Sequence, residues 1–217
     1  MKRPRILLAD DHTLVLEGLK RILDPEFELA GTVEDGLALL EAARNLEPDV
    51  ILLDISMPLL NGIEAARRLR KSLPRTKLVF LTMHADRTYV AEAFRAGASA
   101  YLLKRSAVSE LVFAIHEVLK GRYYVAPLIA KDLVDFFVES RASRRREPRP
   151  VSGDLTSRQR QILQLVAEGH CNKQIAGILK ISIKTVEFHK SEIMKKLGLH
   201  TTAELTRYAL AHGIVQP

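Results

Sequence analysis

Five polar residues stand where apolar runs stop. Asp10 and Asp11 follow RILLA (Arg5–Ala9), and Asp54 follows Val50–Leu53 within DVILLDISMP. Thr82 closes KLVFLT (Lys77–Thr82), and Lys104 follows SAYLL (Ser99–Leu103). Short apolar runs bounded by turn formers are the pattern of strands buried on both faces, the habit of parallel sheets. In open α/β sheets, chemistry collects at the carboxyl ends of such strands. A doubly wound order puts the strands ending in Asp10-Asp11 and Asp54 side by side. Three carboxylates so close repel one another unless a hard cation sits among them, and Mg²⁺ suits, because it takes oxygen ligands, keeps waters and bridges to phosphate oxygens. With Mg²⁺ present, Asp54 becomes a nucleophile toward a phosphoryl group and forms an acyl phosphate. The Thr82 hydroxyl and the Lys104 ammonium are then placed to grip the transferred oxygens. Taken singly, each residue is a turn former, a helix cap or a solvated lysine; the chemistry lies in the set.

The elements that must hold these residues follow in regular alternation. Strands are predicted at Arg5–Ala9, Phe27–Val33, Val50–Leu53, Lys77–Thr82 and Ser99–Leu103. Helices are predicted at Thr13–Leu23, Gly36–Asn45, Ile63–Ser72, Arg87–Ala96 and Ser106–Lys120, the last stopped by Gly121. Five strand–helix pairs in succession predict an α/β fold, a doubly wound five-stranded parallel sheet with helices on both faces. Past Gly121 the alternation ends. Ala130–Ser140 suits one connector helix, and Arg141–Asp154, with five arginines, two prolines and no apolar face, reads as a linker. The expected division is residues 1–122, a connector and linker over 123–153, and a second domain over 154–217.

Asp10-Asp11, Asp54 with Met57-Pro58, Thr82, Tyr101 and Lys104 together resemble the signature of the receiver domain of bacterial two-component response regulators, over about residues 3–122. The resemblance implies that Asp54 accepts phosphate from a partner sensor histidine kinase. It implies that Asp11 and Asp54 ligate Mg²⁺, that Asp10 acts mostly through water, and that the Ser56 backbone carbonyl supplies a further oxygen. It also implies a switch pair, in which the Thr82 hydroxyl moves toward the phosphoryl group and the Tyr101 ring rotates inward behind it. Judged without the family pattern, Tyr101 is a core aromatic with a wet tip. Arg105 departs from the pattern, since many receivers carry proline there.

The second domain differs in charge. From Arg141 onward there are 14 Lys and Arg against 6 Asp and Glu, a balance of +8, whereas residues 1–140 balance to −1. A basic tail domain on a near-neutral body suggests nucleic acid as the partner of that domain. From Leu155 the pattern is helical throughout. Thr156-x-x-Gln159 forms a capping box for a helix with Ile162, Leu163, Leu165 and Val166 inward, ended by Gly169. Asn172–Leu179, a helix capped by Ser182 and running to Leu197, and Thr202–His212 follow. Two short helices joined by a tight turn, the second longer and basic, make a helix-turn-helix unit. With Val186 at zero degrees and about 100° per residue, Ile193 and Leu197 fall beside it, and Lys184, Phe188, Ser191 and Lys195 fall opposite, with Glu187 at the edge. That outer face fits a DNA major groove, with Phe188 against a thymine methyl and Glu187 accepting from a cytosine amino group. Lys173, Lys190, Lys195 and the Thr185 hydroxyl are candidates for phosphate contacts. A plain helical dimerisation module is the alternative.

LTSRQRQILQLVAEG, NKQIAGILKIS and KTVEFHKSEIMKKLG are similar to the LuxR/FixJ/NarL type of helix-turn-helix, from about Leu155 to Ala211. The resemblance implies a dimer contact on the last helix, over the face containing Ala203, Leu205 and Ala209. Gln159 stands where most members have Glu, and Cys171 where a serine usually caps the second helix.

The chain so read is a phosphorylation-controlled, DNA-binding transcription regulator that pairs as a homodimer on phosphorylation. The rivals are a phosphatase or phosphotransferase acting on small molecules, and a DNA binder indifferent to phosphate. There is no Gly-rich phosphate cradle. His12 is read as a surface residue at a helix start, and His84 as shaping access. No apolar stretch approaches the ~18 residues of a membrane span, and no apolar signal segment follows the basic start. One cysteine, Cys171, excludes an internal disulfide and a multi-thiolate metal site, and a cytoplasmic location is expected.

Overall fold

The structure is a computed structural model that describes residues 3–106, 108–130 and 155–215. The first unit is an α/β sandwich. Its strands are β1 (Arg5–Ala9), β2 (Glu28–Val33), β3 (Val50–Leu53), β4 (Lys77–Thr82), β5 (Ala100–Leu103) and β6 (Tyr124–Val125), interleaved with α1 (Thr13–Leu23), α2 (Gly36–Leu46), α3 (Gly62–Ser72), α4 (Arg87–Ala96) and α5 (Val108–Leu119). All neighbouring strands pair in parallel, in the order β2-β1-β3-β4-β5-β6. The sheet therefore has six strands rather than the five expected. Tyr124–Val125 is too short to announce itself as an apolar run, and only its pairing with Ala100 and Tyr101 makes it a strand.

Both faces of the sheet are covered, which is why β1, β3, β4 and β5 are apolar almost without interruption. Leu7, Ile51, Leu53 and Phe80 point into a core with α2, α3 and α4. Ile6, Leu8, Leu52 and Val79 point into the opposite core with α1 and α5. The chain reverses its winding at β1 and β3, so their carboxyl ends diverge into a crevice. Ala9 lies opposite Leu53, which places the residues after them side by side. Helix α3 begins hard against this crevice: a Cβ on Gly62 would lie 2.0 Å from the Asp54 carbonyl oxygen. Glycine here is the condition for the loop after β3 to fold back so closely.

The second unit comprises α6 (Ser157–Ala167), α7 (Asn172–Leu179), α8 (Ile183–Leu197) and α9 (Thr202–Ala211) around one apolar core. Thr156 and Gln159 form the expected capping box, Ser182 caps α8 through the Thr185 N–H, and Gly198 ends α8 in the left-handed region at φ 66°. The Cys171 N–H is satisfied by the Gln174 side chain at 2.8 Å. The connector helix expected over Ala130–Ser140 lies outside the described residues apart from Ala130, as does the 141–154 linker.

The dimer face expected on α9 needs correction. Leu205 and Ala209 are fully buried in the domain's own core, and of the three residues only Ala203 is exposed. The helix turns this face inward because α6 packs across it, and its outer side carries Ala203, Arg207 and Leu210. Leu205→Ala is accordingly expected to cost about 2–5 kcal/mol of stability. Thermal unfolding checks this: a variant as stable as the parent would return Leu205 to the surface role.

Candidate phosphoacceptor pocket and DNA-facing surface

At the carboxyl edge of the sheet, Asp10, Asp11, His12 and Asp54 each offer a ligand atom, all within 4.8 Å of one another. Asp10 and Asp54 are buried, Asp11 and His12 exposed. The Lys104 ammonium bridges the two buried carboxylates, 2.7 Å from Asp10 Oδ2 and 2.7 Å from Asp54 Oδ2. Burial works against that ammonium, but the hydrogen bonds to Asp10 and Asp54 outweigh it and hold the Lys104 pKa above the usual lysine value. The other Asp54 oxygen accepts from the Ile55 N–H at 2.6 Å. Lys104 reaches the pocket because its own N–H bonds the Thr82 carbonyl, extending the β4–β5 ladder by one residue. Oxygen donors clustered around one point form a donor set for a divalent cation.

The structure brings together the sequence-predicted Asp10, Asp11, Asp54 and Lys104, and it sets Thr82 fully buried at the end of β4 beside them. Tyr101 is fully buried, its ring already inside, and its hydroxyl donates to the His84 carbonyl at 2.8 Å. Burial, with Asp54 nearby, pushes the Tyr101 phenol upward, so it stays a donor. Ser56 is partly buried, and its hydroxyl pairs with His84 Nε2 at 2.9 Å. The His84 ring also stacks on Tyr89 at 4.2 Å. Burial lowers the His84 pKa despite the facing Asp54 and Asp86 carboxylates, which favours a neutral ring.

His12 is exposed at the start of α1, as read from the sequence, and its Nδ1 lies 2.8 Å from Asp11 Oδ1 and 3.1 Å from Asp10 Oδ1, so it also belongs to the acidic cluster. The signal for that was its adjacency to the acidic pair. Tyr89 and Glu64 carried no such signal, because their partners are distant in sequence.

On the second unit, Val186 and Ile193 are buried and Leu197 partly so, whereas Lys184, Glu187, Phe188, Ser191 and Lys195 are exposed together, as the helical wheel requires. Phe188 keeps 62% of its surface open. Its ring stands on the same outward face as Lys184 and Lys195. Lys173 is exposed on α7; Lys190 is half-buried and donates to Thr202 at 3.4 Å; the Thr185 hydroxyl is engaged with Ser182 at 2.8 Å.

The two units meet. Glu64 on α3 is almost wholly buried between Arg67 of its own helix and Arg160 and Ser157 of α6, with Arg160 Nε at 2.5 Å. Burial raises the cost of its charge, but the hydrogen bonds from Arg160 and Ser157 outweigh that and hold its carboxyl below the usual range. Gly213, past α9, seats against Tyr89: an added Cβ would fall 1.0 Å from the Tyr89 hydroxyl.

Comparison with known proteins bears on both units. A family model described as a response regulator receiver domain matches residues 6–116, and one described as bacterial regulatory proteins, luxR family, matches residues 154–209. The chain is 41% identical over 213 residues to the transcriptional regulatory protein MctR of Rhizobium johnstonii, covering 97% of this chain and 95% of that protein. Among solved structures it is similar to the RcsB response regulator of Salmonella typhimurium, at 25% identity and TM-score 0.64, covering 98% of this chain and 99% of that one. It is also similar to RcsB in a structure of two RcsB dimers bound to two parallel DNAs, at 25% identity and TM-score 0.58, covering 95% of this chain and 98% of that one. No described helix is long and apolar enough to cross a membrane.

Proposed function

The chain belongs to the response regulators that join a receiver domain to a luxR-family domain, and on that premise we propose that phosphorylation of Asp54 controls how the helical domain grips double-stranded DNA. In this reading residues 1–122 are the input, 123–153 the connection and 154–217 the output. The observation that carries it is the buried Asp10–Asp54 pair clamped by Lys104 beside Asp11, a pocket whose charges are arranged around one acceptor oxygen.

Mg²⁺ fits the oxygen-rich cluster, with Asp11, Asp54 and the Ser56 carbonyl as protein ligands and Asp10 acting through water. When bound it supplies positive charge against the phosphoryl oxygens. Asp54 attacks the phosphorus of a phosphohistidine on a sensor kinase; the P–O bond to the carboxylate forms as the P–N bond breaks, and the imidazole leaves. Lys104 turns to a phosphoryl oxygen, and Thr82 donates from the far side. The only turnover expected is this transfer and the later hydrolysis of the acyl phosphate. The phosphorylated receiver then favours a homodimer, as the dimers of RcsB on DNA suggest. Moving a two-state protein from 1:99 to 99:1 requires about 5.5 kcal/mol of differential stabilisation, so a graded response is expected from a smaller coupling.

The experiment is phosphorylation with acetyl phosphate and Mg²⁺, followed by DNA selection with and without the donor. A protein that forms the acyl phosphate and binds the same fragments with unchanged affinity would overturn the control step and leave a phosphate-indifferent DNA binder. Turnover of an external phosphate ester would favour the enzyme rival.

Within the output domain, Lys173, Lys184, Lys190, Lys195 and Thr185 hold the backbone, while Phe188, Glu187 and Ser191 face the bases. Lys173→Ala is expected to weaken all sequences alike and to reduce the salt slope by about 1, whereas Phe188→Ala changes sequence preference. Binding titrations against a panel of base-substituted sites distinguish them. A Lys173→Ala protein with altered preference and an unaltered slope would refute the assignment.

A further inference from the structure

His12 occupies the position that caps α1, yet its ring makes no cap bond to that helix. Serine, threonine, aspartate or asparagine there would satisfy a backbone N–H of the first turn. The His12 ring turns back instead to the two carboxylates that precede it. Its Nδ1 lies 3.1 Å from Asp10 Oδ1 and 2.8 Å from Asp11 Oδ1. An ionised carboxylate only accepts, so Nδ1 carries a proton. The main chain that holds the ring is pinned on both sides. Its N–H donates to the same Asp10 Oδ1 at 3.0 Å, and its carbonyl accepts from the Val15 and Leu16 N–H groups at 2.9 and 3.1 Å. Asp10 is thereby held at both oxygens, since Lys104 takes Oδ2 at 2.7 Å. Asp11 differs: its side chain keeps 37% of its surface open, and water competes for its carboxylate.

We infer that His12 is a positioning residue for the divalent cation: its ring keeps the exposed Asp11 carboxylate gathered beside Asp10 and Asp54. The inference rests on the reading of this crevice as a cation site. Adjacent carboxylates repel, and the buried one cannot move, because Lys104 and the His12 main chain fix it. The exposed one can. A ring N–H set between Asp10 Oδ1 and Asp11 Oδ1 offsets the repulsion and holds Asp11 where the ligand atoms of the cluster lie within 4.8 Å of one another. Without that N–H, Asp11 relaxes toward water and the cation must draw it back. Mg²⁺ dehydrates reluctantly and demands near-octahedral oxygens, so it gains most from a ligand already in place. Groups that orient metal-binding side chains in this way are typically worth about 10–100-fold in metal affinity. The ring does this without ligating, since carboxylate, carbonyl and water suit Mg²⁺ and imidazole suits softer ions.

The test titrates the full, unphosphorylated chain with Mg²⁺ by calorimetry, a readout that needs no phosphodonor. His12→Ala is expected to weaken Mg²⁺ binding about 10–100-fold. His12→Ser restores a good cap to α1 but has no ring to reach Asp11. It should match or exceed the parent in thermal unfolding and still bind Mg²⁺ as weakly as His12→Ala. That split separates positioning from a structural role, in which affinity would follow stability. If His12→Ala fails to fold, the His12→Ser chain carries the test. Mg²⁺ affinity that is unchanged or tighter in a folded His12→Ser chain overturns the inference. So does an electron spin-echo coupling between bound Mn²⁺ and a nitrogen in the parent that vanishes in His12→Ala, because the ring would then be a ligand. A parent that binds no Mg²⁺ overturns the cation reading of the crevice and the inference with it; a parent that binds Mg²⁺ no more tightly than its variants overturns the inference alone.

Discussion

Asp54→Asn is expected to abolish acyl-phosphate formation and, with it, any tightening of DNA binding by a phosphodonor. The amide has nearly the shape of the carboxylate, so the fold survives: its carbonyl keeps the bond from the Ile55 N–H, while the NH2 in place of the second oxygen no longer accepts from Lys104, which keeps Asp10. What is lost is the anionic oxygen, because a neutral amide is a poor nucleophile. Basal affinity for DNA should remain, since α7 and α8 supply the proposed contacts and neither includes a pocket residue. Intact-mass measurement after acetyl phosphate treatment, paired with DNA titration, reads both effects. If the Asp54→Asn protein still binds DNA more tightly after treatment with the donor, control by this carboxylate is refuted.

The second large effect concerns salt. Exposed Lys173, Lys184 and Lys195, with half-buried Lys190, lie on α7 and α8 of the basic output domain. When lysines neutralise DNA phosphates, condensed counterions are released, and that release is most favourable in dilute salt. If a dimer meets ~6–10 phosphates, affinity should fall roughly 10³–10⁵-fold between 50 and 200 mM salt. The logarithmic slope from titrations at several concentrations gives the number of contacts directly. A slope near zero would mean that the basic balance serves solubility and that α8 faces a protein instead.

The two halves differ in how legible they were. The strands of the sheet could be read because burial on both faces demands continuous apolar runs, and the pocket could be read because each run ends in a polar residue. Helix caps were equally plain, Thr156 with Gln159 and Ser182 with the Thr185 N–H among them. Legibility failed where a residue's partner comes from far along the chain. β6 is a strand only by pairing with β5. Leu205 and Ala209 suit a dimer face or a core equally well by spacing, and the packing of α6 against α9 settles which. Glu64 and Gln164 look like ordinary surface residues on amphipathic helices, yet each is 1% exposed.

From residue types and order alone came the alternation of strands and helices, the acidic crevice at the turn of the winding, and a cationic helix with an outward Phe188. Each of these depends on periods of two or 3.6 residues and on charge, which are local. Only the folded chain decided that Lys104 spans Asp10 and Asp54 and that α6 lays its polar stripe on the loop after Asp54. Those are contacts between segments tens to a hundred residues apart, and their identity depends on how whole surfaces fit, a property no single stretch of sequence contains.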